Sequence, residues 1–213
     1  MPLQIRDERA RDLARKLAAK HKVTMTDAVI MALEAELRRA NEEEPLARRI
    51  ARIAEELAQH AGPRSAEDEQ GRDRCDVGSS LMFIDTSVIV ALLAREHDAD
   101  GLAAKISEAK ARYTSGLVIL EASMRLSTLL DLDPVLVGTR IQALLEQGSI
   151  EVIPIDGSIA KKAVPAFAAF GKGRGHPAQL NLADCLSYAC AQAYDVPLLF
   201  KGNDFKHTGV REL

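Results

Sequence analysis

Residues 63–81 divide this chain more firmly than any other feature, because Pro-Arg-Ser-Ala-Glu-Asp-Glu-Gln-Gly-Arg-Asp-Arg-Cys-Asp-Val-Gly-Ser-Ser-Leu offers almost no apolar side chain and many charges. A segment of that kind cannot bury enough surface to offset the entropy lost on ordering it. It reads as a solvated linker, so folding must take place on either side of it. The two sides differ in texture. Amphipathic helices with few bulky residues precede the segment, and short apolar runs alternating with helical periodicity follow it.

On the first side, Ala10, Leu13, Ala14, Leu17 and Ala18 recur at helical spacing within residues 7–21, with charges on the opposite face. Thr24-Met25-Thr26-Asp27 then supplies hydroxyl caps and an acid at a helix start, after which Val29, Leu33 and Leu37 recur every fourth residue. Pro45 suits the first turn of a third helix, whose Leu46, Ile50, Ile53 and Leu57 form one stripe before Gly62-Pro63 ends it.

On the second side, Met82-Phe83-Ile84 predicts a buried strand, followed by helical residues at 88–94 and 100–111. A strand is expected at 112–114, a helix from Ser115 or Gly116, a helix at 135–147, a strand at 150–154, helices at 158–170 and 182–194, and a last strand at 197–200. Short apolar strands alternating with helices predict an α/β domain with an open parallel sheet flanked by helices.

The longest apolar runs fall far short of the roughly 20 residues that cross a bilayer, and no basic-then-apolar leader is visible. A cytoplasmic protein without membrane partners is therefore expected. Cys75, Cys185 and Cys190 are odd in number and lack metal-ligand spacing, so they read as buried or surface thiols. The net charge of -3 argues against indiscriminate coating of nucleic acid. Its placement matters more, since residues 1–40 hold nine Lys and Arg against six Asp and Glu.

With 31 Asp and Glu in the chain, an acid at a strand end means little without context. Asp85 ends Phe83-Ile84-Asp85, Glu121 follows Leu117-Val118-Ile119-Leu120, and Asp184 sits within Leu182-Ala183-Asp184-Cys185-Leu186, each framed by core-type residues. Asp204 lies in Lys201-Gly202-Asn203-Asp204-Phe205, four residues past a strand, where glycine permits a tight turn. Ligands of open parallel sheets bind beyond the carboxyl ends of the strands. Asp85 and Asp204 fall at such ends, and Glu121 and Asp184 in helices that begin near them, so the four are predicted to converge. Crowded, desolvated carboxylates would protonate unless a cation neutralised them. Magnesium or manganese suits an all-oxygen site and serves phosphodiester hydrolysis. Thr86 and Ser87 either hydrogen-bond a carboxylate or a metal-held water, or cap the next helix.

Phe-Ile-Asp-Thr-Ser, Leu-Glu-Ala, Asn-Leu-Ala-Asp-Cys-Leu-Ser-Tyr-Ala and Leu-Leu-Phe-Lys-Gly-Asn-Asp-Phe together resemble the VapC family of PIN-domain toxins across residues 82–213, as does Gly-Lys-Gly-Arg-Gly-His-Pro-Ala ahead of Asn181. Met82 falls where such a toxin would start. The resemblance implies that Asp85, Glu121, Asp184 and Asp204 bind Mg2+ or Mn2+ and that the activity is endonucleolytic cleavage of RNA, often transfer or ribosomal RNA. One departure is visible. Relatives commonly carry an acid after the Thr that follows the last motif, whereas Thr208 is followed by Gly209 here. Residues 171–176 lie between helices without Walker or Rossmann spacing. They read as a flexible loop whose Lys172 and Arg174 meet RNA phosphates or simply face water, with His176 structural.

Residues 1–62 resemble the ribbon-helix-helix antitoxins that accompany such toxins. The resemblance implies that two chains pair their first strands into a ribbon entering the major groove of operator DNA. Leu3 and Ile5 would then face the helices and Gln4 and Arg6 the bases, while amides near Thr24 and Thr26 would clamp a phosphate. A generic helical dimerisation domain is the other reading. The third helix would be a toxin-binding arm, docking through Leu46, Ile50, Ile53 and Leu57, with Arg49 or Arg64 reaching the acidic pocket in competition with metal. The bulky anchors that end such arms in relatives are missing from residues 65–81. Tethering would still hold the arm at a local concentration of roughly millimolar.

The expected domains are thus residues 1–42, 43–62 as the arm, 63–81 as the linker and 82–213 as the nuclease, assembled as a homodimer or a dimer of dimers. A ribbon-helix-helix regulator with a catalytically inactive C-terminal domain is the competing assignment. A phosphatase would want Asp-x-Asp, and position 87 is Ser.

Overall fold

A computed structural model describes residues 7–61 and 81–213. Leu3, Gln4, Ile5, Arg6, Arg64, Cys75 and the segment 63–80 lie outside the described residues. The chain packs as two compact units, Met1–Pro45 and Leu46–Leu213. This break precedes the third helix, close to the expected division between residues 1–42 and the arm and ahead of the linker at 63–81. The physical reason is the apolar stripe of that helix, which belongs to the C-terminal core.

In the first unit, α1 (Glu8–His21) begins at Asp7, whose carboxylate accepts the Ala10 amide at 2.9 Å, and ends at Lys22 in the left-handed region. The α2 helix (Met25–Glu43) packs against α1 and starts at Thr24. Ala14, Ala18 and Ala28 are buried, while Leu13, Ile30, Met31 and Leu33 are exposed.

The second unit opens with α3 (Leu46–Ala58) and continues through β1 (Leu81–Ile84), α4 (Thr86–Leu93), α5 (Ala99–Glu108), β2 (Ala111–Ser115), α6 (Gly116–Leu130), α7 (Pro134–Gln147), β3 (Ile150–Ile153), α8 (Gly157–Phe170), α9 (Leu182–Ala193) and β4 (Leu198–Leu199). Among the described residues the strands form one sheet in the order β3-β2-β1-β4, every pair parallel, flanked by helices. The expected strand and helix positions recur within a few residues at each end. The sheet core is Met82, Phe83, Ile84, Ile150, Ile153, Leu198 and Leu199, all buried. At the β4 edge the Leu198 amide donates to the Arg211 carbonyl at 2.8 Å, so the C-terminal segment shields a strand edge from further pairing.

The parallel arrangement separates the two ends of the sheet. At its amino end the Arg112 guanidinium donates to the carbonyls of Ile106 (2.6 Å), Ala109 (2.8 Å), Ser107 (3.3 Å) and Gly148 (2.7 Å), bracing the last turns of α5 and α7. At its carboxyl end the chain turns directly from β1 into α4 and from β2 into α6, which brings acids to the strand termini.

The α3 helix packs against α4, α5 and α7. Leu46, Ile50, Ile53, Ala54 and Leu57 are all buried, so the stripe legible at every third or fourth position is the docking face. Polar contacts flank it. Glu56 pairs with Arg140 at 2.7 Å, Glu55 approaches Arg95 at 3.9 Å, and Arg49 donates to the Gln147 carbonyl at 2.8 Å. The last contact corrects an expectation, since Arg49 does not reach the acidic pocket. Gln147 closes α7 just before β3 begins, at the amino end of the sheet, whereas Asp85 follows the carboxyl end of β1. A strand of this length separates the two by roughly 13 Å. An orphan helix carbonyl attracts a guanidinium as readily as a carboxylate does at such a distance.

Candidate active site

Asp85 both follows the last residue of β1 and is the N-cap of α4. Its Oδ2 accepts from the Ser87 amide at 3.0 Å and the Ser87 hydroxyl at 2.7 Å. Only 4% of Asp85 is exposed, so these bonds offset part of its lost hydration. The Thr86 hydroxyl donates to Glu121 Oε2 at 2.6 Å, tying α4 to α6. The helix cap is therefore Asp85 itself, and the two hydroxyls each hold a carboxylate. Thr114, buried on β2, donates to the Ile84 carbonyl at 3.0 Å and fixes the strand end that presents Asp85.

Asp184 occupies the first turn of α9 in a reciprocal cap. Asn181 Oδ1 accepts the Asp184 amide at 3.0 Å, and Asp184 Oδ2 accepts the Asn181 amide at 2.7 Å. Sequence reasoning passed over Asn181, although Asn-x-x-Asp ahead of an apolar run is a readable capping signature. Burial pushes the Asp184 carboxyl up to about 6, against the Asn181 amide bond that lowers it, and the charges of Asp85, Glu121 and Asp204 push the same way as burial. Three of the predicted acids thus act on the fourth. Asp204 is exposed, on the turn that follows β4 and in which Gly202 takes φ of 103°.

The acids are gathered but not closed on a point. Among the described residues no three Asp, Glu, His or Cys side chains stand close enough to hold an ion as they are. The donor set nonetheless fits a hard dication. It is all oxygen, it is partly desolvated, and it crowds negative charge that raises the affinity of Asp184 for a proton. One turn along α9, the buried Ser187 hydroxyl oxygen has no hydrogen-bond partner among the described residues, a second polar group not foreseen in the sequence. Lys201 was likewise not singled out. Its Nζ pairs with Glu96 and, at 2.9 Å, with Asp98.

The loop ahead of α9 is closed at its base by backbone hydrogen bonds. Lys172 N donates to the Leu180 carbonyl at 2.9 Å and Leu180 N to the Phe170 carbonyl at 2.8 Å. His176 stands edge-on to Phe170 with centroids 4.9 Å apart, and its Nδ1 accepts the Ala178 amide at 3.2 Å, a structural role. Arg174 lies over the Phe167 ring at 4.6 Å, and Lys172 and Arg174 are both exposed. A Cβ at Gly171 would meet Phe167 Cδ2 at 2.3 Å and the Phe167 carbonyl oxygen at 2.5 Å. The ring can turn aside but the helix carbonyl cannot. Gly171→Ala is therefore expected to cost about 1–3 kcal/mol in urea unfolding by opening the base of the loop.

Thr208 is buried, donates to the Phe205 carbonyl at 2.7 Å and accepts the Val210 amide at 3.3 Å. Gly209 takes φ of 70°, a conformation that favours glycine. In the N-terminal unit, Thr24 Oγ1 accepts the Asp27 amide at 3.2 Å and donates to Asp27 Oδ2 at 2.7 Å. The start of α2 thus already carries its own carboxylate, and Thr26 is exposed beside it. Cys185 and Cys190 are buried thiols. Among the described residues no helix is long and apolar enough to cross a membrane.

Comparison with known proteins agrees with this geometry. Residues 82–210 match the family profile described as PIN domain, and residues 1–74 match that described as Rv0623-like transcription factor. Over 130 residues the chain is 43% identical to VapC ribonuclease Mb0625 of Mycobacterium bovis and to ribonuclease VapC28 of Mycobacterium tuberculosis, covering 61% of this chain and 96% of each relative. Ribonuclease VapC42 of Mycobacterium tuberculosis is 37% identical over 131 residues, covering 61% of this chain and 97% of the relative.

Proposed function

The chain belongs to the PIN-domain family, with a region matching an Rv0623-like transcription factor joined ahead of that domain, and on this premise we propose that it is a toxin–antitoxin fusion: a metal-dependent endoribonuclease that carries its own DNA-binding antitoxin. What supports the nuclease reading is the placement of acids around the carboxyl end of β1: Asp85 and Glu121 are each held by a hydroxyl there, and the charges of Asp85, Glu121 and Asp204 add to the burial that raises the partly buried Asp184 carboxyl. Relatives named as ribonucleases align over nearly their whole length, and the PIN-domain match spans residues that include these acids.

In this reading Asp85, Glu121, Asp184 and Asp204 hold Mg2+ or Mn2+. Such an ion supplies positive charge that offsets their crowding and stabilises charge built up on the cleaved phosphodiester. Thr86 and Ser87 keep Glu121 and Asp85 in place by the bonds described above. Lys172 and Arg174, on the loop that leads into α9, attract the flanking phosphates of a transfer or ribosomal RNA.

The N-terminal unit binds operator DNA as a dimer in the same reading. Gln4 and Arg6 read bases, and the α2 starts near Thr24 and Thr26 meet phosphates. The exposed Leu13, Ile30, Met31 and Leu33 support pairing with a second copy, which would cover them. The arm docks through Leu46, Ile50, Ile53 and Leu57, and Arg64 remains the arginine proposed to approach the acids.

The test incubates the full chain, and residues 46–213 alone, with transfer and ribosomal RNA in Mg2+ or Mn2+. Discrete cleavage that stops with chelator and in Asp85→Asn is expected, while Asp85→Asn keeps wild-type affinity for DNA from upstream of its own gene. A wild-type unit 46–213 as inert as Asp85→Asn on every RNA, alongside retained DNA binding, would replace the nuclease with a regulator.

A further inference from the structure

Lys201 makes two sets of contacts, one that reaches the acidic site and one that anchors it to the connection between α4 and α5. Its backbone amide donates to the Ser87 hydroxyl oxygen at 2.9 Å, and that hydroxyl donates to Asp85 Oδ2 at 2.7 Å. Its ammonium is held by Glu96 and, at 2.9 Å, by Asp98. These acids stand on the connection between α4 and α5, which is itself pinned. The Glu96 amide donates to the Ala91 carbonyl at 2.9 Å, and the Asp98 carbonyl accepts the Leu102 amide at 3.0 Å. The side chains of Lys201, Glu96 and Asp98 are 29%, 31% and 28% exposed, so the cluster is better shielded than an open surface pair.

We propose that Lys201 is a positioning residue: clamped by Glu96 and Asp98, it fixes the turn that carries Asp204 and holds the amide that orients Asp85 through Ser87. The proposal rests on reading the acids as the metal centre. The turn needs such a clamp, since Gly202 at φ 103° gives its backbone freedom that other residues lack. With the ammonium released, the Lys201 amide leaves Ser87, and Asp85 and Asp204 lose their common anchor. A direct role on RNA is a poorer fit to the geometry, because the ammonium is already engaged by two carboxylates.

The experiment compares Lys201→Met, which keeps the apolar stem, with Lys201→Arg, which can grip both acids, in the full-length chain. A second route removes the clamp from the other side with Glu96→Gln and Asp98→Asn together. Arg211→Met, which breaks the surface pair of Arg211 with Asp195 beside the same strand, is the control. Three quantities are read: hydrogen exchange of the amide at position 201, Mn2+ affinity by calorimetry, and kcat against KM for RNA cleavage.

Lys201→Met and the double variant are expected to speed exchange at position 201 at least about tenfold. They should weaken Mn2+ binding about 10- to 100-fold, the range found for outer-shell partners of metal ligands, and lower kcat with little change in KM. Lys201→Arg should restore most of each loss, and Arg211→Met should change none. Wild-type exchange and Mn2+ affinity in Lys201→Met would overturn the proposal, as would an equal loss in the Arg211→Met control. A wild-type chain that binds no Mn2+ would sink the metal reading instead, and the exchange measurement alone would then decide whether the clamp exists.

Discussion

Asp184→Asn is expected to stabilise the metal-free protein while abolishing RNA cleavage. Burial and three neighbouring acids raise the Asp184 carboxyl to about 6, well above the ordinary aspartate range. The folded state therefore holds a proton that the unfolded state has released between about pH 4 and 6. A raised carboxylate pKa means that unfolding free energy falls as pH rises through this window, with the full penalty present above pH 6. At about 1.4 kcal/mol per pKa unit, that penalty is at most about 3 kcal/mol. Asparagine carries no charge to bury and can still accept the Asn181 amide, so the substitution should recover much of it at pH 8 and almost none at pH 4. Thermal unfolding across this range measures the difference. Mn2+ should raise the Tm of the wild type but not of the variant, because the proposed metal centre depends on Asp184. Cleavage should fall more than about a hundredfold, beyond the loss typical of a merely supporting residue. An Asp184→Asn protein with wild-type cleavage, or one less stable than wild type at pH 8, would remove Asp184 from the site.

Cutting into α3 should have the largest effect on the fold. Leu57 and Ile53 are 0% and 2% exposed at the contact with α4, α5 and α7. Truncation of a fully buried Leu or Ile costs about 2–5 kcal/mol once the cavity is counted. Leu57→Ala should accordingly lower the stability of the C-terminal unit by about 3 kcal/mol. Leu57 and Ile53 are neighbours on one helix face, so the double variant will not be a simple sum. Removing residues 1–58 goes further, because burial of Leu46, Ile50, Ile53 and Leu57 at about 1.5–3 kcal/mol each rivals the whole stability of an average domain. The segment 82–213 made alone is expected to self-associate in sedimentation and to regain a cooperative transition when a peptide of residues 46–58 is added. A monomeric, cooperatively folding 82–213 fragment that ignores the peptide would show α3 to be an accessory.

Much of this was legible in the chain because the signals are local. Apolar runs bounded by Gly, Pro and capping residues located the strands and helices, and the carboxyl-end rule for parallel sheets located Asp85 and Asp204. The α3 stripe was plain from Leu46, Ile50, Ile53 and Leu57. What escaped was decided by partners distant in sequence. Arg49 settled on the Gln147 carbonyl, 98 residues away, rather than on an acid. Lys201 found Glu96 and Asp98 more than 100 residues back, a pairing no periodicity announces. The hydrogen bonds of Lys172 and Leu180 also close the loop around Arg174 across its base. Composition marked the linker because it measures solubility, whereas the unit boundary follows where α3 buries its stripe.

The place of α3 ahead of β1 also bears on synthesis. A ribosome finishes residues 46–58 before the first sheet strand emerges, so every nascent catalytic unit is born with its docking helix attached and in equal number. A protease that clips the chain near Pro45 would strip away the N-terminal unit yet leave that helix seated, so the transcription-factor-like part could be lost without opening the core of the PIN domain.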